Sequence, residues 1–493
     1  MSDGGIAEKR GKSEETTPFQ DAESASAQNT DIQETKEESL PKTPQNPSDP
    51  LTVATERFRV KFGLSGAVQP TGGIGSWWNL SESFAPDAAY KPDRLWNEGW
   101  MKASMTTDFT LSESLALYSG LSYVGSGNLG RDVFEQGNQG IIAVEDAFLG
   151  TRFANPAEEL KIDVSYGRQP YKVGSGMLLS VGALNGFERG ATTSFARRAW
   201  EEAGLIKLQR GTISWDGFYL NPNELRSGDT FTRLAGTKVE TRQEDNQSIG
   251  LAYFNVFESE YPYAAAPLQL IPQGREGLNT MHTYMQWNPA PLAIPGFYIA
   301  GDYAYQWNER IAMSSHAFSG ELGTLWSQLP WTPKSAYTFR SFQGDDPSTS
   351  RFEKFDPLFY EGSPALWASG SNGSFSFLNS NVQVHRIQLS INPTQRDTIS
   401  FYYWHLRADQ TNSPLQFGQA GRIVAVGGEP QLVSGVPDSH LSDDFYLEHF
   451  RMLNPNWFLT TGGAVSVPGR GLRALVNDPT TWYGGIVSLA FQY

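Results

Sequence analysis

The last twelve residues, Trp482-Tyr-Gly-Gly-Ile-Val-Ser-Leu-Ala-Phe-Gln-Tyr493, constrain this chain more than any other stretch. Tyr493, Phe491, Leu489, Val487 and Tyr483 share one parity, while Gln492, Ala490, Ser488 and Gly484 share the other. A period of two is the mark of a strand with one apolar face. Soluble sheets alternate in the same way, but a free carboxylate directly after an aromatic residue is awkward in a buried core strand. At the close of an outer-membrane-type barrel, by contrast, the terminal aromatic sits in the interfacial girdle and the last strand pairs with the first.

Composition favours the barrel. A chain of 493 residues would otherwise make two or three soluble domains. With 49 Gly, 29 Pro, 13% aromatic and only 18% charged residues, it suits a wall that is apolar outside and polar inside. The absence of cysteine excludes disulfide frameworks, thiolate metal sites and cysteine nucleophiles. No run of 18 apolar residues exists, which excludes a helical membrane protein. The opening Met-Ser-Asp-Gly-Gly-Ile-Ala-Glu-Lys-Arg has no apolar core and shows no secretory signal, which counts against export.

Residues 1–54 are rich in Ser, Glu, Gln, Thr and Pro and are expected to form a disordered acidic tail ahead of a barrel over 55–493. Residues 1–50 hold 11 acidic and 5 basic side chains, so much of the net charge of −15 belongs to the tail. The remainder is still mildly acidic, which disfavours nucleic acid as a partner. A first strand then starts sharply. Phe58, Val60, Phe62, Leu64 and Val68 alternate with Arg57, Arg59, Lys61, Ser65 and Gln69, which puts three cations on the face opposite the apolar residues.

Pro70 to Pro92 reads as an excursion from the wall. Strand patterns then recur at Leu115–Tyr123, Leu160–Tyr166, Ile213–Leu220, Ile249–Phe257, Phe297–Gln306, Ile387–Ile391 and Ile399–Tyr403. Asn-Pro turns at 155, 221, 288, 392 and 454 suggest hairpin units of repeating size. Arg197–Gln209 reads as strand or as a short helix. Gly125–Gly130 matches a dinucleotide fingerprint in letters only, since no βαβ context surrounds it, and it reads as a loop. Roughly 430 residues arranged as hairpins of ~10-residue strands give about 16 to 20 strands. A barrel that wide does not fill with its own side chains and is either a channel or plugged.

Two stretches carry a family resemblance. Tyr166-Gly-Arg-Gln169 followed by Arg197-Arg-Ala-Trp-Glu201, and Phe342-Gln-Gly-Asp-Asp-Pro347 leading to Phe355-Asp-Pro-Leu-Phe-Tyr360, resemble the alginate export family of outer-membrane porins. The resemblance implies a monomeric, approximately eighteen-stranded antiparallel barrel with long extracellular loops, set in outer-membrane lipid. Such a barrel passes an anionic polysaccharide or oligosaccharide through an arginine-lined constriction, with a periplasmic export component as a further partner and no cofactor. It carries over Arg168, Arg197, Arg198 and, more weakly, Arg340 as pore cations.

Strand parity adds Arg386, opposite Ile387 and Leu389, to Arg57, Arg59 and Lys61. Arg168 shares parity with Ile162 and Val164, so it reaches the lumen only past the membrane zone or through a bulge at Gly167. The plain alternative is that these arginines pair with Asp163, Glu201 or Glu202 and stiffen the wall. Gly344-Asp345-Asp346-Pro347 reads as an ordinary turn rather than a cation loop. The six histidines show no metal-protease spacing, and no Gly-x-Ser-x-Gly elbow is present. A barrel hydrolase would need His385 or His405 to meet a serine across strands. From another class, a soluble β-rich carbohydrate-binding or polysaccharide-modifying protein shares the strand pattern.

Overall fold

The computed structural model describes residues 51–77, 93–132, 137–242, 247–288, 296–361, 367–415, 421–426, 428–475 and 480–493. Eighteen antiparallel strands close into one barrel, each paired with its neighbours in sequence, and the first, Phe58–Ile74, bonds to the last, Trp482–Gln492. Closure removes every sheet edge, which is what lets strands cross a lipid layer. The closing register sets Ser65 against Gln492, Val68 against Leu489 and Gly73 against Gly484. The ladder lapses at Gln69 and Pro70 without a change of register, because proline has no N–H to give.

Sidedness follows the parity of the sequence. Phe62, Leu64, Val68, Tyr483, Val487 and Leu489 are exposed on the outside, while Gln69, Thr71, Ser488 and Ala490 are buried on the inside. The same split repeats around the wall, with Leu117, Leu121, Tyr123, Leu149, Ile249, Leu251, Phe318, Leu322, Leu389 and Leu447 exposed. A continuous exposed apolar surface of this kind needs lipid against it. At the chain end, Tyr493 exchanges backbone hydrogen bonds with Leu64 and its hydroxyl accepts from the Trp457 indole at 3.0 Å, an aromatic pair at the rim. The protein is an outer-membrane β-barrel.

Several expectations are corrected here. Pro70–Ile74 belongs to the wall, so the excursion begins only afterwards. Arg197–Gln209 contains no helix, since Trp200–Arg210 is a strand; buried Trp200, Ala203 and Leu205 lie on its inner side. Gly125–Leu129 ends the strand Leu115–Leu129 rather than forming a loop. Asn221 ends a strand at the long-loop rim whereas Asn155, Asn392 and Asn454 lie at the short-turn rim, so the Asn-Pro spacing marks no repeating unit.

The expected tail is described only from Leu51, and residues 1–50 lie outside the described residues. Thr52–Ala54 forms a short strand on Arg59–Lys61, continuing the pairing past the point where the last strand stops. Arg57, Arg59 and Lys61 therefore share the face of Gln492 and Ser488 but sit beyond the end of that strand, at the short-turn mouth.

The core lies inside the barrel. Segments 170–199, 343–361 and 367–381, from the long-loop rim, turn inward and pack on one another and on the wall. Met177, Leu178, Leu179, Phe355 and Phe377 are completely or almost completely buried among wall residues Trp200, Phe254, Phe342 and Trp404. Each such side chain contributes about 1.5–3 kcal/mol by leaving water. The segments satisfy their backbone by a parallel contact: Ser180 N–H donates to Phe359 O at 2.8 Å and Phe359 N–H to Leu178 O at 2.9 Å.

Candidate functional site: a lumen narrowed by two infolded loops

Segment 170–199 crosses the lumen. On one side Gln69 donates to Thr193 Oγ1 at 2.6 Å, Thr193 N–H to Glu98 at 2.7 Å and Thr192 to Asp132 at 2.7 Å. On the other, Ser175 donates to Asp302 at 2.6 Å on the strand Phe297–Asn308. These partners lie on the first two strands, just past the end of the third, and on the eleventh, on opposite sides of an eighteen-strand ring.

Segment 343–381 is latched by Asp356. Its carboxylate takes both Arg275 Nε at 2.8 Å and Nη2 at 3.1 Å, plus Tyr263 Oη at 2.7 Å and Leu358 N–H at 2.9 Å. Gln306 of the wall holds the Asp356 backbone from both sides. Burial alone would raise the Asp356 carboxyl, but the Arg275 charge and these donors outweigh it and hold it below the usual carboxylate range.

The eight cations singled out in the sequence separate into groups. Arg57, Arg59 and Lys61 make no side-chain ion pair among the described residues and stand at the short-turn mouth, Arg59 in register with Asp108. Arg197 and Arg198 come together with two buried carboxylates: Arg197 lies 3.7 Å from Glu145, and Arg198 bonds Glu361 while its N–H donates to Glu145 at 2.7 Å. Arg197 is only 2% exposed, yet its Nε and Nη2 have no partner among the described residues. Burial lowers its pKa and the nearby Arg168 charge adds to that, with Glu145 opposing.

Arg168 follows a break of register at Gly167, where φ is +132°, and pairs with Glu201 at 2.8 Å and with Val144 O at 3.0 Å. Arg340 and Arg386 sit on adjacent strands. Arg340 lies over the Trp367 ring at 4.7 Å, and Arg386 bonds Glu321 at 2.7 Å and Thr338 at 3.1 Å. Arg168, Arg198 and Arg386 thus each hold a carboxylate, and Glu201 is one of the partners that the wall-stiffening alternative names for Arg168. Along the wall the lumen continues as alternating charges, Asp108–Arg152–Asp163 at 3.2 and 3.1 Å and Asp216–Lys238–Glu240 at 3.3 and 3.8 Å.

Between the two loops and the closing seam lies a partly open cleft. Trp96, Phe375, Tyr446 and Trp482 line it with Thr71, Thr193, Ser371 and Asn372. The space exists because the wall carries small inward residues there: Gly73, Gly484 and Ala464 stand in one register row. A Cβ on Gly484 would lie 2.1 Å from the Asn372 side-chain oxygen. Aromatic faces beside hydroxyl and amide groups suit a sugar ring, which is apolar on one face and polar at its edge.

Sequence reasoning missed the acidic partners Glu145, Glu321 and Glu361 and the latch Arg275–Asp356. Asp356 was visible as part of the Phe355–Tyr360 run, but its partner lies on another loop 81 residues away. His385 and His405, considered for hydrolysis, take Tyr337 and Asp443 as partners. Asp345 and Asp346 accept backbone N–H groups of Ala266, Glu353 and Ser348, as turn residues do.

No family model matches the chain, and no curated protein matches it closely enough to count. Among solved structures, OccK9 (OpdG) of Pseudomonas aeruginosa is 10% identical, with a TM-score of 0.50 over 88% of this chain and 98% of that one. OccK7 (OpdD) of the same organism is 8% identical, with a TM-score of 0.47 over 89% and 99%. Salmonella typhi OmpF, in a complex with daunomycin, is 10% identical, with a TM-score of 0.41 over 90% and 100%. At these identities the likeness is one of fold, that of outer-membrane porins and channels.

Proposed function

We propose that the protein is a monomeric, passive outer-membrane channel for small organic anions, uronate saccharides among them. The carrying observation is Arg197, a buried guanidinium on the infolded loop whose Nε and Nη2 edge is unpartnered among the described residues. That edge is a planar two-donor fork matched to a carboxylate, and the group does not deprotonate in the working pH range. Reaching it requires segment 170–199 to give way locally. Arg198, Arg340 and Arg386, and Arg57, Arg59 and Lys61 at the mouth, supply further weak sites, so an anion that enters can also leave. Arg168 belongs to this set through its charge beside Arg197. The aromatic cleft at the seam supports a sugar ring as the body of the solute.

A second reading, passage of an intact alginate-like polysaccharide handed over by a periplasmic export component, rests on the Tyr166–Gln169 and Phe342–Pro347 runs. It asks more of the infolded loops, which would have to yield to a whole polymer. Single-channel recordings with hexuronates, oligouronates of increasing length and neutral oligosaccharides of equal length test both. The expected result is an anion-selective reversal potential, with uronates interrupting the current and neutral sugars doing so less. Equal behaviour of charged and neutral sugars without anion preference would sink the reading, and passage independent of chain length would favour the polymer.

A further inference from the structure

We propose that His405, His440 and Asp443 form a binding site for a first-row divalent cation of borderline softness, Zn²⁺ being the probe of choice. It lies on the outer surface of the barrel at the long-loop rim, away from the lumen. One ligand atom from each residue lies within 4.8 Å of the others. His405 Nδ1 is 2.8 Å from Asp443 Oδ1 and His440 Nε2 is 3.0 Å from Asp443 Oδ2, so both rings already converge on one carboxylate. The three side chains are 25–29% exposed, open enough for an ion to enter.

The wall builds this cluster by a specific irregularity. His405 and Asp443 are register partners on the strands Asp397–Ala408 and His440–Asn454. They face outward, since Trp404, Leu406, Ser442 and Asp444 on the opposite parity are completely buried. Residues 440 and 443 of a regular strand would point to opposite faces. Here the register jumps from Leu406–Ser442 to Arg407–His440, leaving Leu441 as an extra, fully buried residue. That bulge turns His440 onto the face of Asp443, the re-aiming of a side chain that bulges perform.

Tyr403 Oη, donating to Asp443 at 2.8 Å, fixes the carboxylate from the side. Arg407, the register partner of His440, is turned away onto Ser439 at 2.8 Å. Two imidazole nitrogens and one carboxylate oxygen are the donor set of open Zn²⁺ sites, which complete their shell with water. On binding, the ring nitrogens that now donate to Asp443 become the ligands: each neutral ring passes that proton, by way of water, to its other nitrogen, His405 to Nε2 and His440 to Nδ1, and the cation takes the place of the two protons. No pair spacing along the sequence announces the site, because its ligands meet across two strands and through a bulge.

The test is calorimetric titration of the folded full chain in detergent with Zn²⁺, Ni²⁺ and Ca²⁺ in parallel. The expected result is one Zn²⁺ per barrel, competition by Ni²⁺ and none by Ca²⁺. His405→Ala and His440→Ala should each weaken Zn²⁺ at least tenfold, and His385→Ala, whose ring lies 6.2 Å from that of His405, should not. Zn²⁺ should also shield His405 and His440 of the unaltered protein from acylation by diethylpyrocarbonate, a measurement that needs no variant. Zn²⁺ affinity unchanged in either alanine variant, absence of shielding, or a preference for Ca²⁺ would overturn the proposal.

Discussion

The two infolded loops are held in opposite ways. Segment 343–381 hangs on Asp356, whose carboxylate has a bidentate arginine, a tyrosine hydroxyl and a backbone N–H, all within 3.1 Å. Segment 170–199 ends on Arg197 and Glu145, which are as deeply buried but 3.7 Å apart, with unpartnered atoms among the described residues on both. A fully satisfied buried pair is a structural latch. A half-satisfied one is costly to keep unless something else uses it. Under the proposed function, this contrast gives the fixing of the constriction to segment 343–381 and the meeting of the solute to segment 170–199.

The largest effect should come from breaking the latch. Asp356→Ala leaves Arg275 charged, buried and without its carboxylate, at a cost of ~3–5 kcal/mol to the anchored loop. The closed strand ladder does not depend on that pair, so the barrel should still form and migrate faster unheated than boiled. Single-channel conductance should rise severalfold as the loop leaves the lumen. The double change Arg275→Met with Asp356→Leu removes both charges and should restore most of the closed conductance. Unchanged conductance in Asp356→Ala would show that the pair is not what holds the constriction.

The strand sidedness, the closing pairing and a range of about 16 to 20 strands were legible because they depend on parity and length, which a single strand carries in itself, whereas eighteen came with the family resemblance. Phe62, Leu64 and Val68 announce a lipid face wherever the partner strand lies. The site was legible only by residue type. Arg197 and Arg386 were visible as arginines, but whether each is spent in an ion pair depends on Glu145 and Glu321, which reach them by barrel closure and loop infolding. Arg168 shows the same limit: the sequence could place a bulge at Gly167, where the register does break, but not say which of Asp163, Glu201 and Glu202 would take the guanidinium.

A smaller, pH-dependent effect concerns how segment 170–199 is tied to its neighbour. Arg189 donates to Leu184 O at 2.6 Å and Asn223 O at 2.8 Å, and Glu224 beside it is buried, with Thr230 donating from both N–H and hydroxyl. Burial pushes the Glu224 carboxyl up to about 7, above its unfolded value, with the Thr230 donors opposing. A raised carboxyl stabilises the fold fully below the unfolded value and loses that contribution as pH rises through about 7. Between the two values the tether weakens by about 1.4 kcal/mol per pH unit, and above about 7 it weakens no further. Hydrogen exchange of residues 222–232, divided by the intrinsic rate at each pH, should therefore quicken between pH 5 and pH 7, and Glu224→Gln should remove the dependence. Equal exchange at both values would mean that Glu224 is not buried as a neutral acid.

The smallest effect on stability, and the sharpest on function, should come from Arg197. Its only carboxylate among the described residues lies at 3.7 Å, and Glu145 keeps the N–H donors of Arg198 and Ala199 at 2.7 and 2.8 Å when the guanidinium is gone. Arg197→Ala should therefore cost under about 1 kcal/mol, at the weak end for a charge-assisted contact. The anion-to-cation permeability ratio should nevertheless fall at least twofold, with conductance in symmetrical salt little altered. Arg197→Lys separates charge from shape: the point charge stays and the fork is lost. If the fork matters, lysine should keep the reversal potential but shorten uronate-induced current blocks. A variant that loses stability and keeps selectivity would reverse the assignment and make segment 170–199 a second latch.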